Sequence, residues 1–393
     1  MELDLYKKNI DQAYIRQILM DLIRIPSVSS SDTGEEEKAA VYLTKRMNEL
    51  GIQAHCDRVA PGRANAVGIM GDETCKPGLI LNGHLDVVPA GDGWKTDPFA
   101  PVIAEGRLYG RGAADMKGAI AAMLGALKLI REQGIPVGTA VNLVFNCDEE
   151  LQNQGILHYL SHYPKAAFAI IGEPTGLEIA VAHRGVMRFK VRVFGRSGHI
   201  SISDDADNAI YKMNKVLNAM QIYNRELKRK QHSLLPSPCL AATVIHGGTK
   251  ENMVPDACEI TVDIRFLPGE TYATVYADFI SLLDQIRNEE PDFTYSVDPF
   301  LYMPAAETDT HGNQVQALLR MHRDYFGGSS LPFGFMACCE QACFQQEGIP
   351  AVVCGPGHIQ EAHTANEFID LEEVYRAAGF YAHCLANNEL FKA

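Results

Sequence analysis

Four short apolar runs constrain the fold of this 393-residue chain most strongly, because each is long enough for a buried strand. Amphipathic stretches with helical periodicity separate them, which is the pattern of a sheet covered by helices on both faces. The runs are GLILNGHLDVV (78–88), GTAVNLVFNCDEE (138–150), AAFAIIGEP (166–174) and GIPAVVCGPG (348–357). The sequence therefore predicts an α/β domain.

The pattern changes near residue 184. GVMRFKVRVFG alternates apolar and charged residues, as a half-exposed strand does, and the predicted elements then follow the order β-α-β-β-α-β. That order is ferredoxin-like, and the α/β pattern resumes after it. We therefore predict a first part of the α/β domain over 1–184, an inserted α+β domain over 185–297 and a second part over 298–393.

Composition excludes several classes of partner. The net charge of −14 argues against nucleic acid and anionic membranes. No apolar stretch reaches the ~18 residues of a membrane span, and the amphipathic N-terminus is not typical of a secretion signal. Ten cysteines without a C-x-x-C pair indicate reduced thiols. We expect a soluble, cytoplasmic protein.

Acidic and histidine residues follow the predicted strands. In an open α/β sheet, ligands bind beyond the carboxyl ends of the strands. In this sequence one further acid, Asp115, lies at the start of a predicted helix. Each residue alone is typical of a helix cap or a solvated acid, but their coincidence at one edge indicates a site. The residues are His84, Asp115, Glu149, Glu150, Glu173 and His363.

His84 and Asp86 are two residues apart in a predicted strand, so both side chains point to one face. One interpretation is a buried His–Asp hydrogen bond without further function. The other is a metal-binding histidine whose second ring nitrogen is held by a carboxylate.

Histidine and carboxylate ligands without thiolates suit a catalytic zinc-type site. Five ligands are too many for one catalytic zinc, and they predict two metals that share a carboxylate. The predicted set is His84, Asp115, Glu150, Glu173 and His363, with Glu149 as the general base. The same ligand types also admit cobalt or manganese.

These residues lie in a series of motifs: GHLDVVP, GRGAADMKG, DEE, IGEPT, GRSGH, ENMVPDAC, DIRFLPGE and GPGHIQEAHTANEF. With them the chain resembles, over nearly its whole length, the dinuclear-zinc deacylases and exopeptidases. That family includes acetylornithine deacetylase, succinyl-diaminopimelate desuccinylase, aminoacylase and the glutamate carboxypeptidases. The resemblance implies a mixed-sheet, zinc-exopeptidase-like catalytic domain with an inserted ferredoxin-like lid through which two chains form a homodimer.

The resemblance also implies roles for individual residues. The five ligands would hold two Zn²⁺ ions with Asp115 bridging, Asp86 would orient His84, and Glu149 would be the base. His199, in GRSGH, would reach the site of the partner subunit and stabilise the oxyanion. The run after it, ISISDDADNAI (200–210), departs from the family pattern.

Four residues are predicted to bind substrate. Asn252 and Arg265 match family contacts from the lid, and Arg184 lies at the hinge. A bidentate arginine suits a substrate carboxylate, although an arginine on a solvated strand face is the alternative for Arg184 and Arg265. Glu340, in FMACCEQACF, would pair with a substrate ammonium, or would be an acid at a helix start.

The segments around Glu340 and His363 are similar to those of acetylornithine deacetylases. The predicted substrate is therefore a small N-acyl amino acid, and the predicted reaction converts N-acetylornithine to ornithine and acetate, a step of arginine biosynthesis. The alternatives within the family are a succinyl-diaminopimelate desuccinylase, another N-acyl-amino-acid deacylase, and a dipeptidase or carboxypeptidase.

Two other classes fit less well. The glycine-rich turn YGRGAADMKG suggests a nucleotide binder, but Asp115 at the third fingerprint position would repel a pyrophosphate. A non-catalytic binding protein with this fold would have lost a ligand or the base, and each of the predicted residues is present.

Overall fold

The computed structural model describes residues 2–30, 34–71, 78–137, 139–202 and 207–387. Residues 203–206, within the run that departs from the family pattern after His199, lie outside these ranges. The chain forms two compact units. The first contains residues up to 181, 308–335 and 339 onward, and the second contains 182–307 and 336–338.

The helices are α1 (Glu2–Lys8), α2 (Gln12–Ile23), α3 (Glu37–Glu49), α4 (Gly118–Glu132), α5 (Gln154–His162), α6 (Ala209–Leu227), α7 (Tyr272–Glu289), α8 (Asn313–Phe326), α9 (Gln341–Gln346) and α10 (Leu371–Ala386). The strands of the first half are β1 (Gln53–Ala60), β2 (Arg63–Met70), β3 (Leu79–His84), β4 (Val102–Ala104), β5 (Arg107–Tyr109), β6 (Val141–Asn146), β7 (Phe168–Pro174), β8 (Ala180–His183) and β9 (Gly185–Phe194). The remaining strands are β10 (Gly198–His199), β11 (Cys239–Gly247), β12 (Met253–Val254), β13 (Ala257–Phe266), β14 (Thr294–Met303), β15 (Ala306–Glu307), β16 (Phe333–Phe335), β17 (Ala351–Gly355) and β18 (Phe368–Asp370).

A mixed sheet forms the centre of the first unit, in the order β1-β2-β6-β3-β7-β17-β8-β15, with β16 beside β8. Its four middle strands, β6, β3, β7 and β17, are parallel neighbours. They are buried along their whole length, which explains why their sequences are continuously apolar rather than alternating. The predicted α/β class is confirmed.

Helix α4 is buried on nearly every face and packs against α2 and α10. Its sequence is rich in alanine and leucine, which favour helix and leave few polar groups to bury. One irregular turn, Ala113–Lys117, precedes it and contains a cis peptide bond between Asp115 and Met116. The buried helix therefore anchors the chain directly after Asp115.

The second unit contains a four-stranded antiparallel sheet in the order β11-β13-β9-β14. With α6 and α7 the chain order is β-α-β-β-α-β, as predicted for a ferredoxin-like module. The predicted boundary at 297 lies inside β14. Pro299 interrupts the register there, but pairing with β9 resumes at Leu301, so a bulge rather than a strand end follows the proline.

Among the helices of the described ranges, we find none that combines the length and the apolar character needed to cross a bilayer.

Candidate active site

Four parallel strands carry the predicted ligands to one edge of the central sheet. β3 ends at His84, β7 contains Glu173 next to its last residue, and the loop after β17 contains His363. β6 ends at Asn146 and leads into the acidic loop of Glu149 and Glu150. The carboxyl ends of adjacent parallel strands meet at one edge, and this topology brings the residues together.

The ligand atoms form two groups that share Asp115, and within each group they lie within 4.8 Å of one another. In the first group, His84 Nε2 lies 2.9 Å from Asp115 Oδ1 and 3.5 Å from Glu173 Oε1. In the second, His363 Nε2 lies 3.2 Å from Asp115 Oδ2 and 3.0 Å from Glu150 Oε1. The two oxygens of Asp115 face different groups, which is the arrangement of a bridging ligand.

The donor set fits metal ions. Four acids lie at this edge, Asp115, Glu149, Glu150 and Glu173, and two histidines face them. Burial raises the pKa of Glu173, and the charge of Asp115 adds to this effect. Crowded, buried carboxylates require positive charge, and imidazole and carboxylate donors without thiolate suit zinc-type ions.

The histidines carry part of that positive charge in the protein alone. Hydrogen bonds to Asp115 and Glu150 raise the pKa of His363 to about 10. Burial opposes the charged form of His84, but its hydrogen bond to Asp115 and the nearby carboxylates outweigh burial and raise its pKa. Burial likewise opposes the charge of Asp115, and the bonds from His363 and His84 nevertheless lower its pKa. Bound cations would replace these protons.

Glu149 is buried beside both groups. One of its carboxylate oxygens lies within 4.8 Å of the ligand atoms of His84 and Glu150. Burial raises the pKa of Glu149 well above its ordinary value; the positive charge of His84 opposes the shift, and Glu173 and Glu150 add to it. A raised pKa suits a group that accepts and returns a proton near neutral pH.

The backbone carbonyl and the side-chain carboxylate of Asp86 contact different groups. The ring Nδ1–H of His84 donates to the backbone carbonyl of Asp86 at 2.9 Å, which leaves Nε2 facing the ligand acids. The carboxylate lies 3.7 Å from Nδ1 and accepts the backbone N–H groups of Glu149 and Glu150 at 3.1 and 3.0 Å. Because β3 ends at His84, the alternation assumed from the sequence does not extend to Asp86.

Sequence reasoning missed the support of the acidic loop by β2. Arg63 donates to Asp148 and lies 3.4 Å from Glu36, and all three side chains are buried. Asn65 accepts the N–H of Cys147 at 3.1 Å. Arg63 and Asn65 are two residues apart on β2. Only the pairing of β2 with β6 shows that they contact the acidic loop.

Glu340 lies at the start of α9 and makes no side-chain cap bond to it. Its side chain is 1% exposed and accepts a hydrogen bond from Asn146, which itself accepts one from Asn82 at 2.7 Å. Burial raises the pKa of Glu340 to about 7. The pairing of Glu340 with a substrate ammonium stays a prediction.

The remaining predicted residues belong to the second unit. His199 pairs with Met253 across the ribbon of β10 and β12, and the N–H of Ile200 donates to Asn252. Arg265 donates to Asp263 from Nε at 2.8 Å and from Nη2 at 3.3 Å. The Arg184 guanidinium donates to the carbonyl of Ser237 at 3.1 Å. The roles predicted for these residues stay predictions.

Comparison with known proteins identifies the class. The family model of peptidase family M20/M25/M40 matches residues 80–387. The acetylornithine deacetylase of Aliivibrio fischeri strain MJ11 is 30% identical over 389 residues, which cover 92% of this chain and 97% of that protein. The chain is thus a metal-dependent hydrolase. It belongs to peptidase family M20/M25/M40.

Solved structures share the fold. The aminopeptidase PepT of Bacillus cereus ATCC 10987 aligns with a TM-score of 0.79 at 22% identity, covering 98% of this chain and 100% of that one. The YXEP protein of Bacillus subtilis, a dinuclear metal binding peptidase, aligns with a TM-score of 0.71 at 16% identity, covering 95% and 97%. These likenesses confirm the predicted fold class, a zinc-exopeptidase-like mixed-sheet domain with an added α+β domain.

The geometry of Asp86 makes a first prediction. In Asp86→Asn, one carboxylate oxygen becomes an NH₂ group, so only one of the two loop N–H groups keeps its acceptor. We expect turnover to fall about 10- to 100-fold, as for changes behind a metal ligand. Because the acceptor of His84 is a backbone carbonyl, the NMR resonance of its Nδ1–H should stay in place. A large shift of that resonance would contradict the assignment, and Asp21→Asn, on α2, is the control.

Proposed function

We propose that this protein removes the acyl group from a small N-acylated amino acid, with N-acetylornithine as substrate and ornithine and acetate as products. The two ligand groups that share Asp115, beside the buried acid Glu149, carry this proposal. The 30% identity to an acetylornithine deacetylase over 92% of the chain supports the choice of substrate. The reaction would belong to arginine biosynthesis, in the cytoplasm.

In the proposed mechanism, His84, Asp115 and Glu173 would hold one Zn²⁺, and Asp115, Glu150 and His363 would hold the other; cobalt or manganese would fit the same donors. When bound, such ions activate water and polarise the acyl carbonyl. Glu149 takes a proton from the attacking water at its carboxylate and returns it to the amide nitrogen as the C–N bond breaks. Nearby cations would lower the raised pKa of Glu149 and favour its basic form.

We also propose that residues of the second unit bind the substrate. Arg265 and Arg184 would pair with its carboxylate, Asn252 would accept or donate beside them, and His199 would stabilise the oxyanion in the partner subunit's site. Asp263 holds the Arg265 guanidinium through two hydrogen bonds, so that its direction is fixed before a substrate arrives.

A homodimer through the second unit is part of the proposal. Strand β11 is an edge of the four-stranded sheet, and its side chains from Ala241 onward are exposed. Val244 and Ile245 are 44% and 53% exposed, and Ile210 and Tyr211 of α6 add further exposed apolar surface. An exposed, apolar edge strand is a template for pairing with a second chain.

A hydrolysis panel tests the substrate assignment. Protein loaded with zinc or cobalt is given N-acetylornithine, N-succinyl-diaminopimelate, N-acetylmethionine and a dipeptide, and release of the free amine is measured. We expect the highest kcat/KM for N-acetylornithine. A preference for one of the other three would replace the proposed substrate with the corresponding deacylase or peptidase activity, and hydrolysis of none would contradict the proposal.

Glu149→Ala tests the base. It removes the proton acceptor but none of the proposed ligands, so we expect the variant to keep its metal content while turnover falls at least about 10²- to 10⁴-fold. Metal analysis and steady-state kinetics measure the two effects separately. Glu178→Ala, an exposed acid of the same unit, is the control. Residual turnover near that of the control would mean that Glu149 is not the base.

Subunit mixing tests the dimer and His199 together. His199→Ala alone should cost about 10²-fold in kcat, as expected for an oxyanion donor. Co-expression of His199→Ala with Glu149→Ala chains should restore about a quarter of wild-type activity, since half of randomly formed dimers are mixed and each mixed dimer contains one intact site. A mixture no more active than its two components would contradict the role of His199 in the partner subunit's site.

A further inference from the structure

The buried carboxylate of Glu367 accepts four hydrogen bonds from one short segment. Oε1 accepts the backbone N–H groups of Ala114 at 2.8 Å and Asp115 at 3.1 Å. Oε2 accepts the N–H of Gly112 at 3.0 Å and Nη1 of Arg111 at 2.7 Å. The Glu367 side chain is fully buried, so these four donors take the place of water around its carboxylate. The segment that they span ends at the proposed bridging ligand.

That segment cannot satisfy its own backbone donors. Asp115 (φ −121°, ψ 93°) and Met116 (φ −133°, ψ 31°) are not helical, and Gly112 is left-handed at φ 82°. The regular i to i−4 hydrogen bonds of a helix are therefore missing in the turn that contains Asp115. Buried N–H groups need an acceptor, and Glu367 supplies one for three of them.

The segment of chain that contains Glu367 also contains His363. Glu367 follows it by four residues, and β18 then pairs with β5, with Phe368 opposite Tyr109. The backbone carbonyl of Glu367 also accepts the N–H of Gly110 at 3.0 Å. This stretch of about five residues thus contains one proposed ligand, His363, and the carboxylate of Glu367. Glu367 holds the turn of a second proposed ligand, Asp115, which lies some 250 residues earlier in the sequence.

Glu367 is suited to this role by its charge. An ionised carboxylate has acceptor sites on both oxygens, whereas the amide of glutamine has one acceptor and one donor end. Arg111 balances the charge, and its guanidinium is fixed in turn by the carbonyl of Ala90 at 3.0 Å and by the ring of Trp94, 5.3 Å away.

We propose that Glu367 is a positioning residue that fixes the Asp115 turn and thereby sets the geometry of both ligand groups at once. The inference rests on the proposed two-metal site. Because Asp115 faces His84 with one oxygen and His363 with the other, a displaced turn disturbs both groups rather than one.

Metal titration of Glu367→Gln tests the proposal. The near-isosteric change turns one acceptor end into a donor, so we expect the affinity for zinc, measured by chelator competition, to fall about 10- to 100-fold at both sites. The visible spectrum of the cobalt-loaded protein should change. The control is Tyr159→Phe, which removes a buried hydrogen bond with Asn142 near the opposite end of β6.

The melting temperature separates positioning from general stability. Both variants should lower the melting temperature of the metal-free protein, but only Glu367→Gln should also reduce the increase that metal produces. If Glu367→Gln does not fold, Glu367→Asp keeps the charge, withdraws the carboxylate by one methylene, and should show the same selective loss of metal affinity.

Two results would overturn the inference. If the wild-type protein binds two metals and the Glu367 variants bind them equally tightly with an unchanged cobalt spectrum, Glu367 is only structural and the proposed function stands. If the wild-type protein binds fewer than two metals, the proposed site fails and this inference fails with it.

Discussion

Parallel pairing of four buried strands is the interaction on which the rest of the site depends. β6, β3, β7 and β17 lie side by side, and their carboxyl ends share one edge of the sheet. The apolar strands supply the stability that allows polar residues to crowd where the strands stop. His84, Glu150, Glu173 and His363 come from separate parts of the chain, and only this pairing makes them neighbours.

The acids crowded at that edge fall into two kinds, which differ in what their carboxylate oxygens contact. Asp115, Glu150 and Glu173 direct oxygens at histidines, and these acids are available to cations. Asp86 and Glu367 instead bind backbone N–H groups of the segments that carry the ligands. An acid satisfied by backbone donors contributes order to the site without competing for its cations.

The sequence was sufficient for the strand pattern, for the β-α-β-β-α-β module and for the acids and histidines that meet at one edge of the sheet, because periodicity and strand ends are local signals. It was insufficient for the partners of Asp86 and Glu367, because a hydrogen bond to a backbone N–H depends on the path of a distant loop. The predicted domain boundary at 297 falls within β14 for a related reason: Pro299 breaks the local pattern, yet pairing with β9 carries the strand past it. The burial of Glu340 was likewise not visible in its own segment.

Under the proposed function, substrate choice would require groups other than the proposed metal ligands, because activation of water does not by itself distinguish one amide from another. In the second unit, Arg188 and Arg265 share a single acid, Asp263, so the cluster keeps one excess positive charge. Such a cluster suits a carboxylate, and every N-acyl amino acid carries one. Under the proposed function, Arg265 would recognise the carboxylate that the candidate substrates have in common. Discrimination among acyl groups and amines must come from other contacts, and a charge preference shared by all candidates cannot supply it.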